Sequence, residues 1–288
     1  SFNGALSFQG FRGWLASDYN MNSTSPTTTK FLTDIPRVYD VTLEDRVWLN
    51  GLQNDVSNPP ILGYITTDNG TYGVNNQHNA TVQTFLVQHK IGPKDLTETT
   101  DTTLAVLTGS LPAVDANTTF ITYTQSVLPI GTAVSETITL NIVDKCSKHE
   151  LIRFFYMDKL GSYLPLTFNK VSKTNITNTR SNYRQNYGSY DATSNVWGYT
   201  TYDRGNTTYD LVSSEKVTCT SDWMNEGEVA MVTNMLNSPI VYIQDSEGNY
   251  VAVTITTNSY EVKKTVNDKL INYTLSFEYA NTNTNQRG

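Results

Sequence analysis

Cysteine, basic charge and long apolar runs are all scarce in this sequence of 288 residues. Two cysteines, Cys146 and Cys219, are too few for the disulfide framework of small secreted domains. No apolar run approaches the ~20 residues that a bilayer-spanning helix needs. The first residues also lack the charged-then-apolar pattern of a signal peptide. We therefore expect no membrane partner and no export signal.

The charge balance argues against tight nucleic-acid binding. Lys and Arg number 20 against 27 Asp and Glu, which gives a formal net charge of −7, and no strongly basic block interrupts the chain. Proteins that grip phosphates need clustered positive charge. We expect no sequence-specific nucleic-acid partner, although an acidic surface is compatible with DNA passing along it.

The polar residues that are abundant are Thr, Asn and Ser rather than Lys and Glu. Tyr occurs 18 times, and 10 Phe and 4 Trp add further aromatic bulk, so a sizeable core can form. Thr, Tyr and Val favour strands, whereas Asn, Gly and Ser favour turns. The composition therefore predicts a folded, mainly β protein.

Alternating strands and turns dominate residues 1–145. Residues 61–67 are typical of a strand, and Asp68, Asn69 and Gly70 favour the turn that follows it. In residues 137–143 Ile, Leu and Ile alternate with polar side chains, the period-2 pattern of a half-buried strand. We predict that residues 1–145 form a β-sandwich-like or jelly-roll-like domain.

Residues 146–288 change in character and predict a small α+β module. Two apolar runs, 150–157 and 163–169, flank a glycine-containing turn and predict a hairpin. Residues 221–237 carry an apolar stripe at helical spacing, with Ser221 as a candidate N-cap. The last alternating run, 271–279, predicts a strand. The module is thus expected to be an antiparallel sheet with one helix.

A long arm at about residues 172–205 interrupts this module. It is rich in Asn, Ser, Thr and Tyr and has almost no aliphatic residues. A segment of this length without a core pattern is too long for an ordinary connection. Three interpretations stay open: a subunit interface, a loop that packs its tyrosines on its own domain, or a glycan site. Its aromatic and arginine side chains are of the types enriched in interfaces, and the candidate interface residues are Arg180, Tyr183, Arg184, Tyr187, Tyr190, Trp197, Tyr199, Tyr202 and Arg204.

No motif for catalysis, a cofactor or a metal is evident. Cys146 and His149 have Cys-x-x-His spacing, but Cys219 is the one other thiol, so a four-ligand zinc site lacks a ligand. There is no Gly-x-Ser-x-Gly elbow and no P-loop. Acid pairs exist in any chain this acidic, and the candidates are Glu44, Asp45, Asp158, Glu226 and Glu228. We expect no enzyme, no cofactor and no bound metal.

One stretch resembles a known family. Residues 146–169 read CSKHELIRFFYMDKLGSYLPLTFN, followed by a Thr-Ser-Asp-Trp-Met helix start and a final Tyr-x-Leu-x-Phe-x-Tyr-Ala strand. This pattern resembles virion proteins of tailed phages that infect Bacteroides-type hosts, the crAss-like phages. The resemblance covers roughly residues 140–286.

The resemblance implies a structural subunit of the rings between portal and tail, or of the tail barrel. Such a subunit would have itself as its first partner, in a ring that is commonly twelve-fold, and portal, ring or tail proteins as neighbours. Its location would be the virion, assembled in the bacterial cytoplasm. The alternatives are a phage receptor-binding or glycan-binding protein, a secreted adhesin and a glycan-cleaving enzyme.

Overall fold

A computed structural model confirms the mainly β fold: large antiparallel sheets dominate and helices are few. The described residues are 31–54, 61–75, 84–98, 105–106, 114–127, 133, 135–144, 148–224, 226–257, 272–281 and 283–284. Cys146 and Ile271, which entered the sequence predictions, lie outside these ranges.

Strands far outnumber helices among the described elements. Two helices occur among the described residues, α1 (Pro93–Thr97) and α2 (Glu226–Asn237). The strands are β1 (Val38–Val41), β2 (Trp48–Asn54), β3 (Ile61–Thr67), β4 (Gly70–Asn75), β5 (Thr84–Lys90), β6 (Ala105–Val106), β7 (Phe120–Val127), β8 (Ile138–Ile142), β9 (Ile152–Met157), β10 (Tyr163–Phe168), β11 (Lys173–Arg184), β12 (Ser189–Asp191), β13 (Val196–Gly198), β14 (Asn206–Thr220), β15 (Val241–Gln244), β16 (Tyr250–Ile255), β17 (Thr274–Tyr279) and β18 (Asn283–Thr284).

These strands form two large sheets and one small hairpin. The six-stranded sheet has the order β1-β8-β7-β3-β4-β6, with β1 parallel to β8. The ten-stranded sheet has the order β11-β14-β17-β16-β15-β9-β10-β2-β5, and β18 pairs with β14 off that path. Strands β12 and β13 pair with each other and with no other strand that the structure describes. We call the two large sheets with α2, excluding β11 and residues 185–211, the body.

Strands of the six-stranded sheet follow from local sequence patterns. In β8, Ile138 and Leu140 are buried, as the alternation predicts. Strands β3 and β4 form a hairpin whose turn ends at Gly70, where φ is +131°, a conformation that favours glycine. Both predictions are confirmed.

The two sheets stack face to face around a shared core. Tyr39 of β1 donates a hydrogen bond from its hydroxyl to the carbonyl of Pro165 in β10, at 3.0 Å. The hydroxyl of Tyr123 in β7 lies 2.8 Å from Nδ1 of His89 in β5. Helix α2 adds apolar side chains to the same core, namely Met231, Val232 and Met235. A β-sandwich-like arrangement with one longer helix therefore describes the body.

The hairpin predicted around residues 150–169 is present as β9 and β10. Six cross-strand pairs join them, from Tyr163 opposite Met157 to Phe168 opposite Ile152. Gly161 in the turn has a φ of +82°. Asp158 closes the turn, because its backbone N–H donates to the Ser162 carbonyl at 2.7 Å.

Helix α2 begins at Glu226, so the prediction that it begins with Ser221 as N-cap is wrong. Ser221 is fully buried and bonds to the chain before β17. Its N–H donates to the Tyr273 carbonyl at 2.8 Å, and its hydroxyl accepts the Tyr273 N–H at 2.8 Å. This long-range pairing uses the side chain that the local pattern assigned to a cap.

The ten-stranded sheet takes strands from both sides of residue 145. Strands β2 and β5 come from the first part of the chain, and β2 pairs with β10 from the second part. The division of the chain into 1–145 and 146–288 stays a prediction. Neither described helix is long and apolar enough to cross a membrane.

Candidate interaction surface

The arm at about residues 172–205 is largely regular structure. Strand β11 pairs with β14 antiparallel from Lys173 opposite Thr218 to Arg184 opposite Asn206. The inner half of β14 also pairs with β17 and β18, whereas residues 206–211 have β11 as their one described strand partner. We call residues 173–211 the ribbon, namely β11, the segment that follows it and the outer end of β14, and we call residues 185–205 its tip. The ribbon extends the edge of the ten-stranded sheet.

Both faces of the ribbon are open to solvent. Every residue of β11 is exposed except Ser181, which is half-buried. Its one aliphatic residue, Ile176, is 59% exposed. Nothing in β11 can supply a buried face, and the pairing with β14 satisfies its backbone polar groups instead.

A β-bulge interrupts the ribbon near its tip. Ser181 lies opposite Asp210 and Asn182 lies opposite Thr208, so Tyr209 is the extra residue. Bulges bend a strand and re-aim its side chains. The Tyr209 ring is 63% exposed and its centroid lies 6.1 Å from that of Tyr183. Tyr209 was absent from the sequence-based candidates because it falls just after the arm.

Hydrogen bonds of Gln185 join the two ends of the tip. Its backbone N–H donates to the Gly205 carbonyl at 2.9 Å. Its side-chain amide donates to the Arg204 carbonyl at 3.0 Å and accepts the Tyr183 hydroxyl at 3.1 Å. The sequence did not single out Gln185, since an isolated exposed glutamine gives no local signal.

Two glycines let the tip fold back on itself. The Tyr187 ring lies against Gly205, where an added Cβ would stand 2.8 Å from the ring. Gly188 has a φ of +94°, and a Cβ there would stand 2.5 Å from the Gly198 carbonyl oxygen. Tyr187 and Tyr199 then meet edge-to-face with their centroids 5.5 Å apart.

The small hairpin β12–β13 presents an aromatic pair. Tyr190 lies directly opposite Trp197, so both side chains stand on one face of the hairpin. The Tyr190 hydroxyl donates to Asn195 Oδ1. The Asp191 carboxylate accepts the Thr193 N–H at 2.9 Å and the Ser194 hydroxyl at 2.7 Å, and these bonds lower its pKa. The turn is thus held by its own polar groups.

The three arginines of the ribbon are exposed to solvent. Arg180, Arg184 and Arg204 form no ion pair within the part of the chain that the structure describes. Tyr202 is 79% exposed and Tyr199 is 71% exposed. An isolated chain gains little from such side chains, whereas arginine and tyrosine are the side chains that bind strongly in interfaces.

All nine predicted interface residues lie on the ribbon, but not in one cluster. Tyr187 with Tyr199, and Tyr190 with Trp197, are brought together at the tip. Arg180 and Tyr183 lie on β11, outside the tip. The described ring contacts of the ribbon's tyrosines are with other ribbon tyrosines. Their role as an interface stays a prediction.

Titratable side chains outside the ribbon make structural contacts. Within the described residues no group of three His, Cys, Asp or Glu is placed to hold a metal. Burial raises the pKa of the Cys219 thiol to about 12 and lowers that of His89 to about 4. The zinc hypothesis involving Cys146 lies outside the described residues.

The acidic candidates are spread over several elements. Glu44 accepts from Lys94 at 2.7 Å, and Asp45 accepts the Thr42 N–H at 2.7 Å. Asp158 is buried and accepts the Asp34 N–H at 2.8 Å. Burial, reinforced by the Asp34 charge, raises the pKa of Asp158 to about 6. Glu226 and Glu228 lie in the first turn of α2.

Comparison with known proteins identifies no relative. No family model matches the chain, and neither a curated protein nor a solved structure is similar to it. The ribbon and its side chains therefore provide the evidence about function.

Proposed function

We propose that this chain is a structural subunit that assembles with copies of itself into a ring, in the head–tail connector or tail barrel of a phage virion. The observation that carries the proposal is the ribbon: a paired β structure, exposed on both faces, that displays tyrosine, tryptophan and arginine to solvent.

The chemistry of the ribbon suits a partner of the same kind. Interface centres are rich in Tyr, Trp and Arg, which bury large areas with few rotatable bonds. The bulge at Tyr209 and the clamp at Gln185 fix the tip before any partner arrives. Such preorganisation lowers the entropy that association must overcome.

The placement in a phage virion rests on the resemblance of residues 146–169. In the structure this stretch includes the hairpin β9–β10, which lies beside β15 and β2 inside the ten-stranded sheet. The resemblance concerns the body, whereas the ribbon supplies the reason for self-assembly. The twelve-fold symmetry of such rings is part of the same proposal.

The test removes the tip and leaves the sheet intact. Arg184 and Asn206 are opposite each other, so an Asn-Gly pair can replace residues 185–205 as a two-residue hairpin turn. We expect the full chain to form closed rings in negative-stain electron microscopy and analytical ultracentrifugation. The shortened chain should be monomeric with an unchanged thermal midpoint.

A matched control shortens a turn of the body. The turn at residues 245–249 joins Gln244 and Tyr250, which are also opposite each other, and can be replaced by Asn-Gly in the same way. This variant should still form rings. Rings that persist without the tip, or a full chain that is monomeric at every concentration, would refute the proposal.

Glycan binding is the second candidate, and one observation favours it. Tyr190 and Trp197 stand side by side next to Asp191 and Asn195, an aromatic platform flanked by polar groups. A glycan array distinguishes the two functions. Binding that disappears in Trp197→Ala, by a chain that stays monomeric, would favour a receptor-binding role.

A further inference from the structure

Two distant segments of the chain hold a lysine and a carboxylate in contact. Lys159 lies in the turn between β9 and β10, and Asp34 lies in the segment that precedes β1. Nζ of Lys159 is 2.5 Å from Oδ2 of Asp34. The two side chains are 21% and 26% exposed, so the fold shields most of each. A primary amine and a carboxyl group in contact are the two reactants of an amide bond.

The segment that carries Asp34 is fixed to the ten-stranded sheet. The N–H of Leu32 donates to the Asn50 carbonyl at 2.7 Å, and the Leu32 carbonyl accepts the Ser162 hydroxyl at 2.6 Å. Ser162 belongs to the same turn as Lys159, so a hydrogen bond already joins the two segments beside the ion pair. An intramolecular reaction gains most from proximity when both reacting groups are held in this way.

The carboxylate of Asp158 contacts the backbone of both reactants. One of its oxygens accepts the N–H of Asp34 at 2.8 Å, and the other accepts the N–H of Lys159 at 2.6 Å. Asp158 is fully buried. Burial, with added repulsion from Asp34, raises its pKa to about 6, whereas the Lys159 ammonium acts in the opposite direction. A buried carboxylate thus fixes the backbone on both sides of the ion pair.

Helix α2 supplies a hydrogen-bond donor to the same oxygen that Lys159 contacts. Nδ2 of Asn234 donates to Oδ2 of Asp34 at 3.0 Å, and Asn234 is 8% exposed. A donor at this position stabilises the negative charge that the carboxyl oxygens carry when an amine adds to the carboxyl carbon. The cluster therefore combines a nucleophile, an acyl group and a donor to the leaving oxygen.

A second lysine–aspartate pair of the protein has the contacts without the shielding. Lys170 lies 3.0 Å from Asp222, whose carboxylate also accepts Nδ2 of Asn169 at 2.8 Å. The Lys170 and Asp222 side chains are 48% and 45% exposed, about twice as much as those of Lys159 and Asp34. Water competes for exposed charged groups and screens them. This pair is an internal control for proximity alone.

We propose that Lys159 and Asp34 condense to an intramolecular amide, a covalent bond between the β9–β10 turn and the segment before β1. The bond between Nζ and Cγ forms, and the bond between Cγ and Oδ2 breaks. Two of the three ammonium protons pass to Oδ2, which leaves as water, and Oδ1 remains as the amide oxygen. The two charges cancel and nothing is oxidised or reduced, so no co-reactant is required. The inference goes beyond the proposed function and does not depend on it.

The bond would close a loop around one of the two sheets. All six strands of the six-stranded sheet, from β1 to β8, lie between residues 34 and 159. A covalent link between the ends of such a long segment restricts the unfolded chain, as a disulfide does. The amide would therefore stabilise the fold in a chain whose one described cysteine, Cys219, is unpaired and buried.

Mass spectrometry of the full chain tests the bond directly. After incubation of the folded protein, we expect the intact chain to be lighter than its sequence by the mass of one water. Trypsin does not cleave after a lysine whose amine is in an amide, so it should release a branched peptide that joins residues 31–37 to residues 154–170. An intact mass equal to that of the sequence, with the linear peptides, would overturn the inference.

Lys159→Arg is the matched variant, because it keeps the positive charge and removes the nucleophilic amine. It should have the mass of its sequence, and its thermal midpoint should lie roughly 10 °C lower because the closed loop is lost. Lys170→Arg should keep both the loss of water and the midpoint of the unsubstituted chain.

Two further outcomes would also overturn the inference. A loss of water that persists in Lys159→Arg would assign it to another reaction, such as a cyclic imide at an aspartate. An amide between Lys170 and Asp222 in equal yield would show that the shielded cluster has no special role. Ring formation is measured separately by electron microscopy, so the proposed function stands or falls independently of this bond.

Discussion

Strands β9 and β11 belong to the same sheet, yet they differ in nearly every other respect. β9 is an inner strand, and Phe154 to Met157 within it are buried. β11 is the edge strand, and its residues are exposed on both faces. Buried side chains stabilise the strands of the body. Backbone hydrogen bonds and a few polar side-chain contacts stabilise the strands of the ribbon. Strand formation and core formation are thus separable within one sheet.

The largest expected difference between these regions concerns aromatic truncation. Phe154 is 1% exposed and meets Phe168 and Phe277 edge-to-face at 5.2 and 5.4 Å. Phe154→Ala should lower the free energy of unfolding by about 3–5 kcal/mol, because it removes buried area and leaves a cavity. Tyr199→Ala in the ribbon should change it by less than about 0.5 kcal/mol. Equilibrium denaturation measures both, and similar losses would contradict the comparison.

The pH dependence of stability should also arise in the body. Burial raises the pKa of Asp158 to about 6, so the folded state binds its proton more tightly and this contribution falls as pH rises from about 4 to 6. Burial lowers the pKa of His89 to about 4, so its contribution rises over nearly the same window. The two contributions oppose each other.

Replacing one of the two groups should reveal the pH dependence of stability that the other group contributes. Asp158→Asn should make stability rise between pH 4 and 6.5 by about 3 kcal/mol relative to the unsubstituted chain, and His89→Gln should make it fall by a similar amount. Urea denaturation at several pH values measures each slope. Parallel curves for all three chains would show that these buried groups do not titrate on unfolding.

A smaller effect is expected from the polar network at α1. Asp95 accepts from Arg46 at 3.0 Å, from the Trp48 indole at 2.9 Å and from the Val47 N–H at 3.1 Å. Asp95→Ala should cost about 2 kcal/mol, because buried donors lose their acceptor. Glu44→Ala, which breaks an exposed pair with Lys94, should cost less than about 1 kcal/mol. Equal losses would mean that burial is not what gives Asp95 its importance.

The smallest global effect, with a clear local one, is expected at the ribbon tip. Gln185→Ala removes the side-chain bonds to Arg204 and Tyr183. Hydrogen exchange at the tip amides should accelerate, while the free energy of global unfolding stays within about 0.5 kcal/mol. The exposed neighbour Asn186→Ala serves as the control and should change neither. Unaltered exchange in Gln185→Ala would show that the clamp is dispensable.

The sequence predicted those elements whose pattern records burial. Strand β8 and the final strand β17 alternate because one face is buried, and the hairpin β9–β10 shows as two continuous apolar runs because both of its strands are buried on both faces. The ribbon has no buried face, so β11 shows no alternation, and the sequence predicted a long arm there rather than a strand. Its strand character comes from pairing with β14, a partner some 30 residues away along the chain.

Long-range contacts explain the remaining differences. Ser221 pairs with Tyr273 instead of capping a helix. Strands β2 and β5 join the sheet of the second part of the chain, which no local pattern near them indicates. At the candidate interface, the nine side chains could be chosen from the sequence by residue type alone. Tyr209 and Gln185 could not, because their roles depend on the register between β11 and β14.

Strand β14 connects the two regions mechanically. It is a single strand of 15 residues whose outer end meets the tip and whose inner end pairs with β17. A pull on the tip along the ribbon axis would act on β14 against β17 in shear, with five cross-strand pairs resisting together from Lys216–Glu278 to Thr220–Thr274. Because antiparallel hydrogen bonds lie perpendicular to the strands, they would have to break together rather than one after another. Tension applied to the tip would thus pass directly into the packed interior.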